Sequence, residues 1–225
     1  MKIIAVVSGG LDSVVLAHKL AAEGHDLALL SVDYGQRHRK ELAYAARCAE
    51  RLGVEHRVAD LSGIAPLLAG SALTDPAVPL PEGHYAAESM KATVVPNRNM
   101  ILASVAAAWA IQARGDAIAL GVHAGDHAIY PDCRPAFADA LDATLAVCDW
   151  HPVRVLRPFI GLGKHDICGL GHRLGVPLGD TWSCYAGRDR HCGKCGTCVE
   201  RKLAFRDSGV SDPTLYEDPT IYFGE

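Results

Sequence analysis

Ile3-Ile4-Ala5-Val6-Val7-Ser8-Gly9-Gly10-Leu11-Asp12-Ser13, near the start of a 225-residue chain, decides how the rest of the sequence is read. A short apolar run that ends in a glycine-rich turn predicts a strand buried on both faces, as in a parallel sheet. A helical pattern begins near Val14. A turn of this kind aims backbone N–H groups at an anion, and the positive end of the helix dipole reinforces them. Ser8 and Ser13 add hydroxyl donors. Ser8, Gly9, Gly10, Leu11, Asp12 and Ser13 are therefore expected to hold the phosphates of a nucleotide. An ordinary strand-to-helix turn is the alternative. Two adjacent glycines alone would favour it; the flanking serines, the aspartate and the preceding strand favour the phosphate site.

Two familiar phosphate loops do not fit. The Walker loop needs a Lys before its closing Ser or Thr, and Leu11-Asp12-Ser13 has none. The dinucleotide fingerprint needs three spaced glycines, and only two adjacent ones are present.

Working outward, helical and strand patterns alternate. Helices are expected at residues 14–23, 36–52, 97–114, 134–148 and 163–174, with Gly24, Gly53 and Gly115 as stops. Strands are expected at residues 27–33, 55–61, 117–123 and 153–159. The alternation predicts an α/β fold, a parallel sheet with helices on both faces. Residues 62–95 break the rhythm with Pro66, Pro76, Pro79 and Pro81. They read either as a surface insertion or as a lid over the site or dimer contact that stays outside the sheet. From Asp180 onward a cysteine-rich knot and an irregular tail are expected. The division is thus residues 1–179 as the nucleotide-binding domain, carrying the insertion, and residues 180–225 as a C-terminal segment packed on it.

Hydrophobic residues make up 49% and charged residues 21%, which suits a soluble domain with a full core. The formal net charge of −4 argues against a dedicated nucleic-acid binder. No signal peptide is expected, because Met1-Lys2 leads straight into a strand, and no apolar stretch is long enough to span a bilayer. Four of the eight cysteines fall between Cys184 and Cys198. That clustering points to a metal in a reducing, cytoplasmic setting rather than to disulfides.

Cys192-Gly193-Lys194-Cys195-Gly196-Thr197-Cys198 spaces three thiols evenly, and Cys184 can complete a tetrahedron. A C-x2-C-x2-C run also opens iron–sulfur ferredoxin motifs, but those end in Cys-Pro, whereas Val199 follows Cys198 here. Structural zinc is favoured, with His191 as a weaker substitute ligand. Arg188, Arg190, Lys194, Arg201 and Lys202 are expected to surround the knot and offset its thiolate charge. Cys48, Cys133, Cys148 and Cys168 are expected to be small core residues.

Ligands of open α/β sheets bind beyond the carboxyl ends of the strands. Asp33, Tyr34 and Gln36 lie at such an end, with Tyr34 placed to stack on a base and the other two to bond a ribose or base edge. Asn97 is a plausible helix cap, and Arg98 could reach a phosphate. The polar loop at residues 121–134 brings Asp126, Tyr130, Asp132 and Arg134 to a strand end. Lys164 follows the last expected strand and could stabilise charge at phosphorus.

The loop Ser8–Ser13 resembles that of the PP-loop ATP pyrophosphatases, of the adenine nucleotide alpha hydrolase-like fold. With Asp33-Tyr34-Gly35-Gln36-Arg37-His38, Glu41, Val95-Pro96-Asn97-Arg98-Asn99, Tyr130-Pro131-Asp132-Cys133-Arg134, Thr181-Trp182-Ser183-Cys184-Tyr185 and the remaining cysteines, the chain resembles the 7-cyano-7-deazaguanine synthases of queuosine biosynthesis. The likeness runs from Ser8 to about Phe223 and is weakest over residues 62–95. It implies an ATP-dependent ligase that joins ammonia to 7-carboxy-7-deazaguanine and forms the nitrile through an adenylated acid and an amide. It also implies one structural Zn²⁺, and Mg²⁺ with ATP. In that picture Ser8–Ser13 grip pyrophosphate, Asp12 partners Mg²⁺, and Arg98 and Lys164 stabilise charge during catalysis. Asp33, Tyr34 and Gln36 help hold ATP, and Tyr130, Asp132 and Arg134 help hold the base. A homodimer is expected, with no membrane or nucleic-acid partner. Two other readings stay open: a related enzyme that adenylates another carboxylate or a macromolecule, and a non-enzymatic protein that binds a partner through its zinc knot.

Overall fold

The computed structural model of the protein describes residues 1–85 and 88–220. The far end of the expected likeness, near Phe223, lies outside the described residues. Five strands form one all-parallel sheet: β1 (Lys2–Val6), β2 (Asp26–Asp33), β3 (Glu55–Asp60), β4 (Ala117–Ala119) and β5 (Arg154–Leu156), in the order β3-β2-β1-β4-β5. The helices are α1 (Leu11–Ala22), α2 (Glu41–Leu52), α3 (Arg98–Gln112), α4 (Pro135–Leu145), α5 (Lys164–Arg173) and α6 (Gly196–Ser208).

Alternation along β1 sends neighbouring side chains to opposite faces. Ile4 joins a core with Ala103, Ala106 and Ala110 of α3 and Leu141 of α4. Ile3 and Ala5 join a second core with Val14 of α1, Ala45 of α2, Ile167 of α5 and Phe205 of α6. The chain steps from β1 out to β3, then crosses back to add β4 on the other side of β1. The carboxyl ends of β1 and β4 therefore flank a topological switch point, where sheets of this kind open a crevice.

Several expected boundaries move. Helix α1 starts at Leu11 rather than Val14, so Leu11, Asp12 and Ser13 form its first turn. The helix expected from Gln36 starts at Glu41, because the Gln36 side chain folds back on the turn. Its Oε1 accepts from Tyr34 N–H at 2.9 Å, and its Nε2 donates to Val32 O at 3.1 Å. Strand β4 stops at Ala119, and residues 120–123 leave the sheet as a polar turn begins. Asn97 sits at φ +55° and its side chain caps nothing; Asp132 Oδ2 accepts from Asn99 N–H instead, at 3.1 Å.

Among the described residues, the 62–95 segment adds no strand to the sheet, but it is not a loose surface insertion. Leu73 and Met90 are fully buried, and Leu68 and Val95 join the same core. The Arg37 side chain donates to the carbonyls of Asp75 and Val78, and Arg37 N–H donates to Leu73 O. The expected irregular tail is also corrected. Helix α6 runs from the knot to Gly209, which ends it at φ +69°, and it packs Ala204 and Phe205 into the second core. Its pattern was hidden because two of its inward-facing residues, Arg201 and Lys202, are basic. Cys48, Cys133 and Cys168 are buried, whereas Cys148 lies beyond the end of α4 and is exposed.

Candidate active site

At the carboxyl end of β1 the chain turns sharply into α1. Gly9 takes φ +97°, and a Cβ there would sit 2.2 Å from Glu41 O, so this position needs glycine for its backbone conformation and for its packing. Gly10 has an ordinary φ of −72°, and a Cβ there would meet Ser8 Oγ at 3.3 Å. The packing demand falls on Gly9, while Gly10 lines the open cavity. Ser13 Oγ donates to Gly10 O at 3.0 Å, and Ser8 Oγ accepts from Gly10 N–H at 3.2 Å. Gly10 is the N-cap of α1 and offers no side-chain cap, so the first N–H groups of the helix face the cavity without an intrahelical partner. That is an anion site made of backbone.

Beside this loop lies a charged cluster. Lys164 Nζ, at the start of α5, is 3.0 Å from Asp12 Oδ2 and 2.8 Å from Glu200 Oε2. His123, Asp126 and Glu200 place one ligand-type atom each within 4.8 Å of one another. His123 Nδ1 accepts from Gly125 N–H at 3.1 Å, so neutral His123 carries its proton on Nε2. That Nε2 is buried and lies 3.7 Å from Asp12 Oδ2 and 3.5 Å from Asp126 Oδ2, without a hydrogen-bond partner. Burial works to raise the Asp12 pKa, but the Lys164 ammonium and His123 more than offset it, and the carboxyl lies below its usual value. Burial also works against the Lys164 charge, yet Asp12, Glu200 and Asp126 hold its pKa above normal. Glu200 is raised by burial, opposed by Lys164.

The rest of the cavity is lined by aromatic and ionisable side chains, most of them buried. It includes Tyr34, His38, Glu41, Arg98, Trp182, Ser183 and Tyr185. Tyr85 contributes from the 62–95 segment, and its hydroxyl donates to Asp126 Oδ1 at 2.9 Å. Burial lifts Tyr34 to about 12, against a hydrogen bond from Arg98. Burial lowers His38 to about 3, with Arg98 and Arg37 acting in the same direction.

Of the residues singled out from sequence for binding or catalysis, Ser8, Gly10, Leu11, Asp12, Ser13, Tyr34, Arg98, Asp126 and Lys164 line this cavity. Gly9, Asp33, Gln36, Tyr130, Asp132 and Arg134 do not line it. Asp33 accepts from Gly35 N–H and pairs with Arg39, and Gln36 is spent on the turn. Tyr130 OH bonds Thr93 Oγ1 and Tyr185 OH behind the wall. Asp132 holds the start of α3, and Arg134 donates to His127 O at the surface. Sequence reading gave no role of their own to Glu41, His38, Tyr85 and Tyr185. An acidic residue in the first turn of a helix reads as a dipole partner, and that familiar role masks Glu41.

The four expected metal ligands converge. The Sγ atoms of Cys184, Cys192, Cys195 and Cys198 lie within 4.8 Å of one another, and only Cys192 is not fully buried. Backbone N–H groups of Cys192 and Cys195 point to Cys184 Sγ and Cys192 Sγ at 3.3 Å. His191 is not in the group: its Nε2 accepts from Ser183 N–H. Arg201 is not a counter-charge either. It is fully buried and donates to Leu178 O, Thr181, Ser183 and Thr214, tying α6 to the 178–183 segment. Lys202 donates to Gly193 O in the knuckle and to Asp218 O. Trp182 N–H in turn donates to Gly9 O, so the cysteine segment is bonded directly to the phosphate loop.

A parallel sheet with a glycine-rich loop at its switch point and a crevice above it defines a PP-loop-type nucleotide-using α/β enzyme. The fold agrees with two solved structures. NMN synthetase from Francisella tularensis superposes with a TM-score of 0.54 at 17% identity, covering 94% of this chain and 78% of that one. The U34-tRNA thiolase NcsA from Methanococcus maripaludis, solved with its [4Fe-4S] cluster, gives 0.50 at 13% identity, covering 92% and 67%. At these identities the likeness concerns the fold alone. The family described as Queuosine biosynthesis protein QueC matches residues 2–209, and the chain belongs to that family. Proteins named 7-cyano-7-deazaguanine synthase from Rhizobium rhizogenes and Rhizobium meliloti are each 55% identical over 224 residues, 99% of this chain and 94% of theirs.

Proposed function

We propose that the protein uses ATP and ammonia to convert 7-carboxy-7-deazaguanine to 7-cyano-7-deazaguanine for queuosine biosynthesis. The observation that carries this reading is the joining of an uncapped helix N-terminus at Ser8–Ser13 to a buried base-sized pocket, in a chain 55% identical to synthases of that name.

The chemistry asks for activation twice. A carboxylate is a poor acyl donor because oxide is a poor leaving group. Its attack on the α-phosphorus of ATP expels pyrophosphate and gives the acyl adenylate. Ammonia then displaces AMP to give the amide, losing a proton. A second ATP is attacked at its α-phosphorus by the amide oxygen, expelling pyrophosphate, and the nitrile forms as that oxygen leaves with AMP and the nitrogen gives up its two protons. The chain's part is positioning and charge stabilisation. The α1 N-terminus and the two serine hydroxyls bind and orient pyrophosphate. Lys164, beside Asp12 of the loop, stabilises charge developing at phosphorus, while Arg98, expected from sequence at the same task, stands beside Tyr34 at the base end. Asp12, in the loop itself, is the carboxylate that would hold Mg²⁺ carried in with ATP, a cation that would supply further charge neutralisation.

The cysteine group fits zinc. A tetrahedral ion with Zn–S near 2.3 Å sets its sulfurs roughly 3.8 Å apart, and Cys192 Sγ and Cys198 Sγ stand at 3.9 Å. The larger core of an iron–sulfur cluster spreads its cysteines further. Four thiolates leave no open position, so the ion braces the segment that carries Trp182, Ser183 and Tyr185 to the pocket. Reduced thiols of this kind suit a cytoplasmic enzyme, and two-fold dimers are common among such enzymes.

The test of the adenylation route is isotopic. With substrate labelled by heavy oxygen in its carboxylate, the label should appear in AMP. Formation of ADP and phosphate, or unlabelled AMP, would rule the route out.

A further inference from the structure

We propose that Glu41 is the specificity residue for the base, its carboxylate receiving the adjacent ring N–H and exocyclic amino group of a guanine-type edge at the inner end of the cavity. The inference rests on the functional reading above and names the part of the substrate that this wall recognises.

The observation is a buried carboxylate with no cationic partner in contact. Glu41 is 7% exposed and lines the cavity. Its Oε1 accepts from Gln36 Nε2 at 3.3 Å and lies 3.5 Å from His38 Nε2. Its Oε2 has no hydrogen-bond donor among the described residues. Among the described residues the other buried carboxylate, Asp33, pairs with Arg39, and the half-buried Asp12 and Glu200 pair with Lys164. A buried carboxylate without such a match carries a substantial desolvation cost. A site that retains one has a use for it. On the same wall, His38 is 6% exposed and its Nδ1 is buried with no partner. Kept neutral by burial, it adds a second unused acceptor.

The chemistry of the wall selects its ligand. Carboxylate and neutral imidazole both accept. The edge they suit carries donors side by side, as the N1–H and 2-amino group of a 7-deazaguanine do. The adenine edge pairs one donor with one acceptor and leaves half of such a wall unmatched. Arg98, which lines the same cavity beside Tyr34, supplies the donor that the O6 carbonyl needs, and the rings of Tyr34 and Tyr185 supply flat surface. Asp132, the carboxylate that the sequence suggested for this task, is occupied by the backbone of Asn99. Backbone geometry ties the base end to the phosphate end, because Glu41 O packs directly on Gly9.

The experiment is an equilibrium titration of the intact protein in the presence of α,β-methylene-ATP. The two ligands are the carboxylated deazaguanine and its analogue lacking the 2-amino group. The wild type should bind the analogue at least about tenfold more weakly, the loss of a charge-assisted hydrogen bond. In Glu41→Gln and Glu41→Ala the parent base should weaken by at least about tenfold, and the preference over the analogue should shrink to about threefold or less. ATP-analogue affinity and metal content should stay at wild-type values in both variants. Glu41→Gln keeps the side-chain shape and the hydrogen-bonding reach toward Gln36, so it should fold. Full discrimination in the variants, or a loss of nucleotide affinity in place of base affinity, would overturn the assignment of Glu41 alone. A wild type that binds no carboxylated deazaguanine would bring down the functional reading, and this proposal with it.

Discussion

The two ends of the cavity are built from different materials. The phosphate end is backbone: a contiguous run of six residues, an uncapped helix and two hydroxyls, with no formal charge on the N–H groups that face the ligand. The base end is side chain. Tyr34, Glu41, Tyr85, Arg98, Trp182 and Tyr185 come from five separate stretches of the chain, and several are ionisable groups held out of water. Backbone dipoles fixed by the fold bind any phosphate and cost little to bury. Buried charged side chains are expensive and selective. The molecule therefore grips the common part of its substrates with its cheapest construction and reads the particular part with its most costly one.

The strongest challenge to this contrast comes from the brace beneath both ends. Cys195→Ser removes one of four convergent sulfurs and frees the segment that carries Trp182 and Tyr185. Because metal binding and folding are linked, it should cost about 4 kcal/mol or more and release the bound ion. Metal analysis with a denaturation curve checks this. Wild-type stability after loss of the ion would separate the brace from the site, and iron with acid-labile sulfide in the wild type would replace zinc.

At the phosphate end, Gly10→Val should lower ATP affinity by at least about a hundredfold, since several charge-assisted bonds are blocked together. The fold should survive, because Gly10 has an ordinary φ and faces the cavity. Gly9→Val, by contrast, should fail to fold, as its Cβ would lie against Glu41 O. Equal behaviour of the two variants would erase the distinction between packing and phosphate approach. Lys164→Met should then reduce turnover about a hundredfold, in the range seen when a single charge-stabilising group is removed. Unchanged turnover would reduce Lys164 to a structural counter-ion for Asp12 and Glu200.

The smallest effect concerns pH. Burial raises Glu41 to about 8 from an ordinary 4.5, opposed by its hydrogen bond from Gln36 and by Arg98. His38 and Tyr34, the other titratable neighbours on that wall, are neutral near pH 7. A raised carboxyl means that the folded state keeps a proton the unfolded chain has released. Stability from this group is thus present below the unfolded value and falls as pH rises toward the folded one. Relative to wild type, Glu41→Gln should gain stability steadily between those two values. A difference between the two proteins that does not change with pH would show that Glu41 is well solvated.

The contrast also explains what could be read in advance. The phosphate loop is contiguous and the cysteines lie close in sequence, so spacing alone pointed to the sulfurs that converge and to most of the loop residues that line the cavity, and the order of strands and helices followed from periodicity. The base wall is assembled by folding. Asp132 and Glu41 are both acidic residues at helix starts, and nothing local says that Asp132 holds the Asn99 backbone while Glu41 faces the cavity. Residues 62–95 misled for a related reason. Prolines and small residues left a surface insertion and a lid or dimer contact both open, and neither included a share in the core, yet Leu73 and Met90 sit at zero exposure because the partners that bury them are distant in sequence. Replacing residues 73–81 with a flexible linker should therefore open the core as well as alter activity. Helix α6 was missed because Arg201 and Lys202 face inward, where a helical pattern is expected to be apolar.

The central claim is that both ends of one cavity serve a single reaction, and one measurement tests it most directly. The purified protein is incubated with ATP, Mg²⁺, ammonium and 7-carboxy-7-deazaguanine, and the products are followed by mass spectrometry. The account predicts transient amide and then nitrile, each requiring both ATP and ammonium. Intact ATP binding with neither amide nor nitrile formed would contradict it.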